Sequence, residues 1–316
     1  MVRAITLLWI LSVSTWAERG AVREAWSPAI IGREMPSFYN GYLYSCEPRH
    51  IVTLFAPDGH MVLTLPIQGL GNGKVKVLAV AIDSDATLAI AWSWWDPPSA
   101  GIEVRDSSGN LIRAINTGRY IPAHISFGGD HSLWGFGWQR DADNPTDRDK
   151  LDYPTVRKYS IDGKEIGAYL QRSLFSPGLE PGMDEWQERR ITVTADRVGI
   201  EAVSGNVSTQ REWVELDLNG KLTGRWKLDP SDKFPGVALT SDNHAYVHRY
   251  DLQAKSWRVF RLDRARSIWE PMEAPNANLY GADGDNLVFA QWTGGVMHMS
   301  WYPQPQISVP TSTIRK

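Results

Sequence analysis

The sequence predicts an all-β protein, a β-propeller of about six four-stranded blades that follows a cleaved N-terminal signal peptide. Three observations predict it: an apolar leader, a unit of strands and tight turns that recurs about every fifty residues, and evenly spread Gly and Pro with no long helical period. Repeats of that length are typical of propeller blades.

The leader occupies residues 1–17. Residues 1–3 are a short positive start, residues 4–13 are almost wholly apolar, and small residues stand at the last and third-last positions before Glu18. This layout is typical of a secretory signal peptide cut after Ala17. The apolar run is too short to cross a bilayer comfortably. We therefore expect a mature chain, residues 18–316, that is secreted or periplasmic and has no membrane span.

Composition excludes some partners and favours a packed core. The net charge is −3 and the pI is about 6.2, so the chain has no basic field for a phosphate backbone and we expect no nucleic-acid partner. Hydrophobic residues make up 42% of the chain, enough for a sizeable core. The 15 tryptophans suit either blade packing or sugar-binding surfaces.

Cys46 is the one cysteine of the chain. A single thiol forms no internal disulfide and no thiolate zinc site, so packing alone must hold the fold. We interpret Cys46 as a small buried residue rather than as a nucleophile.

The first repeated element is a hairpin turn that contains glycine. Copies occur at Asp58-Gly59, Ser108-Gly109, Asp162-Gly163 and Asn219-Gly220, and a degenerate copy occurs at residues 263–265. Asp-Gly and Asn-Gly supply the positive φ angles that a tight hairpin needs, and the flanking residues alternate as strands do.

The second repeated element is a strand, an acidic turn and another strand. Because an acid recurs at each of these turns, we predict that each one caps its own hairpin by bonding the backbone, rather than sharing one metal site. The residues are Asp85, Asp130, Asp196, Asp242 and Asp285.

Together the two elements give a single propeller domain over residues 18–316. The first unit lacks a full inner strand, so we expect residues 24–31 or residues 305–313 to complete the ring. Radial packing of blades leaves only short sheet edges, unlike one large open sheet. The predicted blades lie near residues 36–66, 77–116, 122–170, 190–228, 236–273 and 276–313.

The segments APDGHMVL (56–63), IPAHISFGGDHSLWGF (121–136) and SIDGKEIG (160–167) resemble six-bladed propellers of the NHL and TolB-like group. The resemblance is one of pattern and covers most of residues 36–300. It implies the fold far more than an activity, since that group contains scaffolds, carbohydrate or peptide binders, lactone hydrolases with a central metal, and a streptogramin lyase.

Candidate catalytic residues follow from the enzyme alternative, a metal-dependent hydrolase or lyase that acts on a small molecule. Such an enzyme needs Glu, Asp, Asn or His near the channel and a divalent ion. His248 is the best single candidate, and Glu201 and His124 are weaker ones; each also fits a satisfied structural polar group. Without that alternative we predict no cofactor and no metal site, and neither a nucleophile elbow nor a phosphate loop is present in the sequence.

Trp94 and Trp95 are the candidate ligand-binding residues, as a platform on which a sugar or peptide stacks. The alternative is packing between blades, which we favour because Trp92 and Trp94 share a strand face and aromatic residues recur on the next unit. Two long connections, residues 139–154 and 171–190, are either binding loops or solvated decoration.

The function that the sequence favours is a monomeric, non-enzymatic scaffold that binds a protein or carbohydrate partner through one rim. The metal-dependent enzyme is the alternative, and a structural role inside an envelope assembly is a third possibility. A calcium or zinc titration followed by thermal melting separates the first two.

Overall fold

The computed structural model describes residues 24–27, 37–46, 50–56, 59–68, 75–95, 98–140, 152–175, 191–204, 210–228, 236–293 and 296–303. The predicted signal peptide lies outside these ranges. They form six four-stranded antiparallel sheets, the blades of a six-bladed β-propeller, as the sequence predicts. No helix within these ranges is long and apolar enough to cross a membrane.

Each of the first three blades runs outward from its inner strand in chain order. Blade 1 contains β2 (Ser37–Tyr39), β3 (Tyr42–Ser45), β4 (Ile51–Phe55) and β5 (Met61–Pro66). Blade 2 contains β6 (Lys76–Ile82), β7 (Leu88–Trp95), β8 (Pro98–Arg105) and β9 (Leu111–Asn116). Blade 3 contains β10 (Tyr120–Phe127), β11 (Leu133–Gln139), β12 (Pro154–Tyr159) and β13 (Glu165–Gln171), and a 3-10 turn (Arg172–Leu174) follows.

The remaining blades follow the same plan until the ring closes. Blade 4 contains β14 (Ile191–Val193), β15 (Arg197–Ser204), β16 (Gln210–Asp217) and β17 (Leu222–Leu228). Blade 5 contains β18 (Val237–Leu239), β19 (Ala245–Asp251), β20 (Ser256–Asp263) and β21 (Ile268–Met272). Blade 6 contains β22 (Asn278–Asp283), β23 (Asn286–Thr293), β24 (Val296–Pro303) and, as its outer strand, β1 (Glu24–Ser27).

The N-terminal strand β1 closes the ring by pairing antiparallel with β24, from Glu24 opposite Ser300 to Ser27 opposite Met297. The prediction that residues 24–27 complete the ring was therefore right, but the prediction that they complete the inner strand of blade 1 was wrong. Blade 1 has its own short inner strand, and the missing strand belongs to the outer edge of blade 6. Residues 305–313 lie outside the described ranges.

Antiparallel strands give the ring two different ends. The turns between the first and second strands and those between the third and fourth strands all lie at one end, which we call the turn face. The connections between the second and third strands, and from each blade to the next, lie at the opposite end, which we call the loop face. The two long connections predicted from the sequence leave from the loop-face ends of β11, at Gln139, and of β13, at Gln171.

Apolar clusters fill the gaps between blades. Trp134, Phe136 and Ile200 belong to the cluster between blades 3 and 4, and Phe38 meets Trp301 edge-on, with ring centroids 6.0 Å apart, where blade 6 meets blade 1. Burying large aromatic side chains supplies most of the stabilisation in such a core. The largest fully buried side chains include Trp92, Trp134 and Trp301, so packing between blades accounts for these tryptophans.

A glycine turn from each of several blades packs against the outer strand of the blade before it. Gly220 has a φ of +81°, and a Cβ built on it would lie 1.9 Å from the ring of Tyr169 in blade 3. Both the backbone conformation and the close approach require glycine there. Gly109 meets Leu65 of blade 1 in the same way. The Asp-Gly and Asn-Gly repeat is thus a contact between blades as well as a turn.

The acidic turns divide into two groups. The carboxylates of Asp85 and Asp130 accept bonds from the backbone of Thr87 and Ser132 in their own hairpins, which confirms the predicted capping. Asp242 accepts a hydrogen bond from the hydroxyl of Thr240 in its own turn.

The prediction of self-capping is wrong for two of the acids, which bond to neighbouring blades instead. Asp196 of blade 4 accepts from the amide of Asn243 in blade 5, at 2.8 Å, and Asp285 of blade 6 accepts from the hydroxyl of Ser241 in blade 5. His131 of blade 3 contacts Asp83 of blade 2 in the same manner. The turn face is therefore joined by polar contacts from blade to blade.

The contact between His131 and Asp83 gives a pH-dependent prediction. The hydrogen bond and the charge of Asp83 raise the pKa of His131 above its ordinary value. A raised pKa means that this contact stabilises the fold below about pH 6.5 and that its contribution is lost as the pH rises through the pKa of the folded chain. An NMR titration should give a higher pKa for His131 in the unaltered chain than in the Asp83→Asn variant. Equal pKa values of His131 in the two proteins would show that the contact does not form in solution.

Candidate functional site

A chain of hydrogen bonds joins the inner strands of blades 1, 3 and 4 at their turn-face ends. The phenol of Tyr39 in blade 1 reaches past blade 2 to the hydroxyl of Ser126 in blade 3, at 2.9 Å. The backbone N–H of Phe127 donates to the Tyr39 hydroxyl, and that of Val193 in blade 4 donates to Ser126. Inner strands have no neighbouring strand on the channel side, so these hydroxyls satisfy amides that would otherwise stay unpaired.

Removing a member of this hydrogen-bond chain should weaken the ring. Tyr39 and Ser126 are both buried, so Tyr39→Phe leaves the amide of Phe127 without its acceptor. We expect the free energy of unfolding to fall by about 1–3 kcal/mol, the usual cost of an unsatisfied buried donor. Chemical denaturation measures the change, and hydrogen exchange should become faster at Phe127. Tyr42→Phe, on the same hairpin, is the matched control, and equal effects of the two changes would contradict this role.

The three candidate catalytic residues lie in one layer of the ring, in three successive blades. Carbonyl groups of Ser132, Arg197 and His244 close the equivalent turns of blades 3, 4 and 5. The fourth residue after each of them is Phe136, Glu201 and His248, respectively. His124 stands directly opposite Phe136 in the strand register. The sequence reasoning did not find this common layer, because it compared residues by type rather than by their distance from the turn.

Glu201 is buried and paired with an arginine. Its carboxylate accepts a hydrogen bond from Arg211 on the neighbouring strand, with 3.1 Å between Oε1 and Nη1. Because Ile200 and Ala202 pack towards blade 3, strand alternation turns Glu201 towards blade 5. An ion pair of this kind satisfies the buried charge without a metal.

His248 is fixed from three sides. Its Nδ1 accepts the backbone N–H of Leu279 in blade 6, at 2.7 Å, so the proton of the neutral ring is assigned to Nε2. The ring lies against Trp257, with centroids 4.5 Å apart. A Cβ on Gly236 would lie 3.1 Å from Cε1 of His248, so the glycine makes room for the imidazole.

His124 is buried and stacks on Phe136, with ring centroids 6.1 Å apart. Ser126 follows it by two residues on β10 and belongs to the hydrogen-bond chain, so His124 lies on the loop-face side of that chain. In the part of the chain that the structure describes, no three His, Cys, Asp or Glu side chains are grouped so that they could hold a metal ion. The shared layer thus places the three residues at one level without assembling them into a cation site.

Trp94 and Trp95 end β7 at the loop face. Trp94 is partly buried and packs on the core cluster of blades 1 to 3, and its carbonyl accepts from Arg140 at 3.0 Å. The backbone of Trp95 pairs with Pro98, and its side chain lies outside the described part of the structure. Residues 141–151 and 176–190, the bulk of the two long connections, lie outside the described ranges as well.

An aromatic corner at the loop-face end of blade 5 escaped the sequence analysis. Tyr250 and Trp257 face each other across the hairpin formed by β19 and β20, with ring centroids 5.0 Å apart at 63°. Asn276 accepts the backbone N–H of Trp257 at 2.7 Å. The signal in the sequence is an aromatic residue on each side of a polar turn, Tyr250 before it and Trp257 after it.

The comparisons with known proteins identify a fold and no family. No family model matches the chain, and no curated protein matches it. A candidate exported protein from Bacteroides fragilis is similar in structure, with a TM-score of 0.51 and 9% identity over 85% of this chain and 83% of that chain.

Two other solved structures match less well. A gluconolactonase from Xanthomonas campestris gives a TM-score of 0.47 and 14% identity over 85% of this chain and 86% of that chain. BamB from Moraxella catarrhalis gives 0.43 and 14% over 84% of this chain and 71% of that chain. At these identities the likeness extends to the propeller fold alone.

Proposed function

We propose that this chain is an exported, monomeric, non-enzymatic propeller that binds a protein or carbohydrate partner on its loop face. The observation that carries the proposal is the difference between the two faces. Short turns joined to one another by polar contacts make up most of the turn face. The two longest connections between described strands, from Gln139 to Pro154 and from Gln171 to Ile191, start and end at the loop face. Binding sites on rigid β scaffolds are usually built from such connections.

The contacts of the candidate catalytic residues also support a binding role. Glu201 is paired with Arg211, and His248 is held by Leu279 and Trp257. A general base or a metal ligand needs free lone pairs that reach the substrate or the ion. In this fold Glu201 Oε1 accepts a hydrogen bond from Arg211, and His248 Nδ1 accepts one from the backbone N–H of Leu279.

Partner location tests the proposal directly. A photoreactive amino acid at Arg119, Gln253 or Thr293 samples the loop face, and the same group at Ser84 or Asn219 samples the turn face. In periplasmic or secreted fractions of the source cells, we expect defined crosslinked products from the loop-face positions only. Products from the turn face, or from neither face, would count against the proposal.

The enzyme alternative rests on the common layer of His124, Glu201 and His248. A metal-dependent hydrolase or lyase would bind a divalent ion near that layer, so calcium or zinc should raise the melting temperature. Glu201→Gln and His248→Asn should then abolish the rise. If neither ion changes the melting temperature and the loop face captures a partner, the binding role stands and this alternative is rejected.

A further inference from the structure

The loop-face end of the gap between blades 5 and 6 carries an aromatic corner formed by Tyr250, Trp257 and Asn276. Tyr250 stands at the end of β19 and Trp257 near the start of β20, and Asn276 lies in the link from blade 5 to blade 6.

Trp257 differs from the tryptophans that hold the core together. Trp92, Trp134 and Trp301 are at most 2% exposed and sit in apolar packing between blades. Trp257 is only half-buried, and its ring contacts the rings of His248, with centroids 4.5 Å apart, and Tyr250, with centroids 5.0 Å apart. It is therefore an aromatic surface at the rim rather than a space-filling core residue.

Contacts of both its backbone and its ring restrict the position of Trp257. Its backbone N–H is bound by Asn276, and the imidazole that supports one side is itself fixed by the amide of Leu279. A side chain that is ordered before binding loses less conformational entropy when a ligand arrives. Rigid aromatic residues at a rim are efficient binding groups for that reason.

The polar groups around the ring indicate the class of ligand. The Asn276 carbonyl is used by Trp257, which leaves the amide NH₂ group to donate to a ligand. Tyr250 is 39% exposed and offers a hydroxyl at the edge of the corner. A pyranose ring presents an apolar C–H face and equatorial hydroxyls, so it can stack on the indole while its hydroxyls bond to the amide and the phenol.

We propose that Trp257, Tyr250 and Asn276 form a subsite for one pyranose ring of a neutral oligosaccharide. The neutral polar groups of Asn276 and Tyr250 beside the aromatic surface of Trp257 fit a sugar better than they fit the broad, largely apolar centre of a protein interface. This proposal deepens the binding role above and rests on it, because it names the ligand of the loop face.

The test uses the full mature chain labelled with 5-fluorotryptophan, followed by fluorine NMR. Trp257→Phe assigns the resonance of Trp257, and Trp226→Phe assigns that of a half-buried tryptophan on the outer strand of blade 4. Maltohexaose, cellohexaose and chitohexaose are added in turn. We expect at least one of them to move the Trp257 resonance saturably at millimolar concentration or below, while the Trp226 resonance stays in place.

Affinity measurements of the sugar that binds then test the residues. Trp257→Ala should weaken binding about tenfold or more, the loss expected of a removed stacking surface. Tyr250→Ala should also weaken binding, and it keeps the proposal testable if the first variant does not fold. Trp226→Phe, on the outer strand of blade 4, should bind as the unaltered chain does.

The outcomes distinguish the saccharide subsite from the more general proposal that the loop face binds a partner. If no hexasaccharide moves the Trp257 resonance, or if Trp226 responds equally, the saccharide subsite is rejected. Should a protein then crosslink to Gln253, beside the corner, the loop face still binds a partner and only the ligand class was wrong. Crosslinks confined to the turn face would reject both proposals.

Discussion

Replacing Glu215 with alanine should destabilise the ring by about 3 kcal/mol, the lower end of the cost of breaking a buried ion pair. The Glu215 side chain is 1% exposed and lies in blade 4. It accepts hydrogen bonds from Arg197 at 2.5 Å and from Arg264 of blade 5 at 2.6 Å, and also from the indole of Trp213. Alanine would leave both guanidinium groups without their carboxylate at the seam between the blades.

The same cluster gives a pH dependence. Burial alone raises the pKa of Glu215, but the hydrogen bonds from Arg264 and Trp213 and the charges of Arg264 and Arg197 outweigh it, and the pKa lies below its ordinary value. A lowered pKa means that the stabilisation is complete above about pH 4.3 and is lost as the pH falls through the pKa of the folded chain. Acid melting of Glu215→Ala should therefore lack that part of the pH dependence.

Chemical denaturation compares the free energies of unfolding of Glu215→Ala and Glu212→Ala, and it tests the role of the Glu215 cluster. Glu212 pairs with Arg225 on the same blade, where both side chains retain more contact with water, so its loss should cost at most about 1 kcal/mol. A Glu215 variant no less stable than the Glu212 variant would show that the cluster does not hold blades 4 and 5 together.

Removing the closing strand should have an effect of at least similar size. A chain that begins at residue 28 lacks β1, so the edge of β24 from Met297 to Ser300 loses its neighbour and blade 6 no longer contains a strand from the N-terminal side of blade 1. Several backbone hydrogen bonds disappear, and an unpaired strand edge is exposed to association with other chains. We expect the melting temperature to fall on the order of 10 °C and aggregation to increase.

The matched control for this truncation is a chain that begins at residue 24. It keeps β1 and should melt as the longer chain does. A synthetic peptide that covers residues 18–31 should restore part of the lost stability when it is added to the shorter chain. If the chains that begin at residues 24 and 28 have the same melting temperature, β1 does not close the ring in solution.

The architecture was predictable because its signals are local. Asp-Gly turns, alternating strands and acidic turns each occupy a few consecutive residues, so they could be counted as six blades from the sequence. The closing strand could not be placed in the same way. Residues 24–27 contain no turn signal, and their partner β24 lies at the other end of the chain.

Contacts between blades explain the remaining differences. Asp196 and Asp285 look like the self-capping acids at the other turns, but their partners, Asn243 and Ser241, are more than forty residues away in sequence. The common layer of Glu201 and His248 depends on strand register, which only the folded sheets supply. Trp257 was missed because its neighbour Asn276 comes from the next connection along the chain.

The central claim is that the turn face holds the blades together and the loop face is left for binding. Thermal melting of single alanine variants on both faces tests it most directly. His131, Ser241 and Asn243 represent the turn face, and exposed Arg119, Gln253 and Thr293 represent the loop face. Residues kept for binding contribute little to stability.

We therefore expect each turn-face variant to melt at a lower temperature than the unaltered chain and each loop-face variant to melt unchanged. Equal losses on the two faces, or losses confined to the loop face, would contradict this division of the ring.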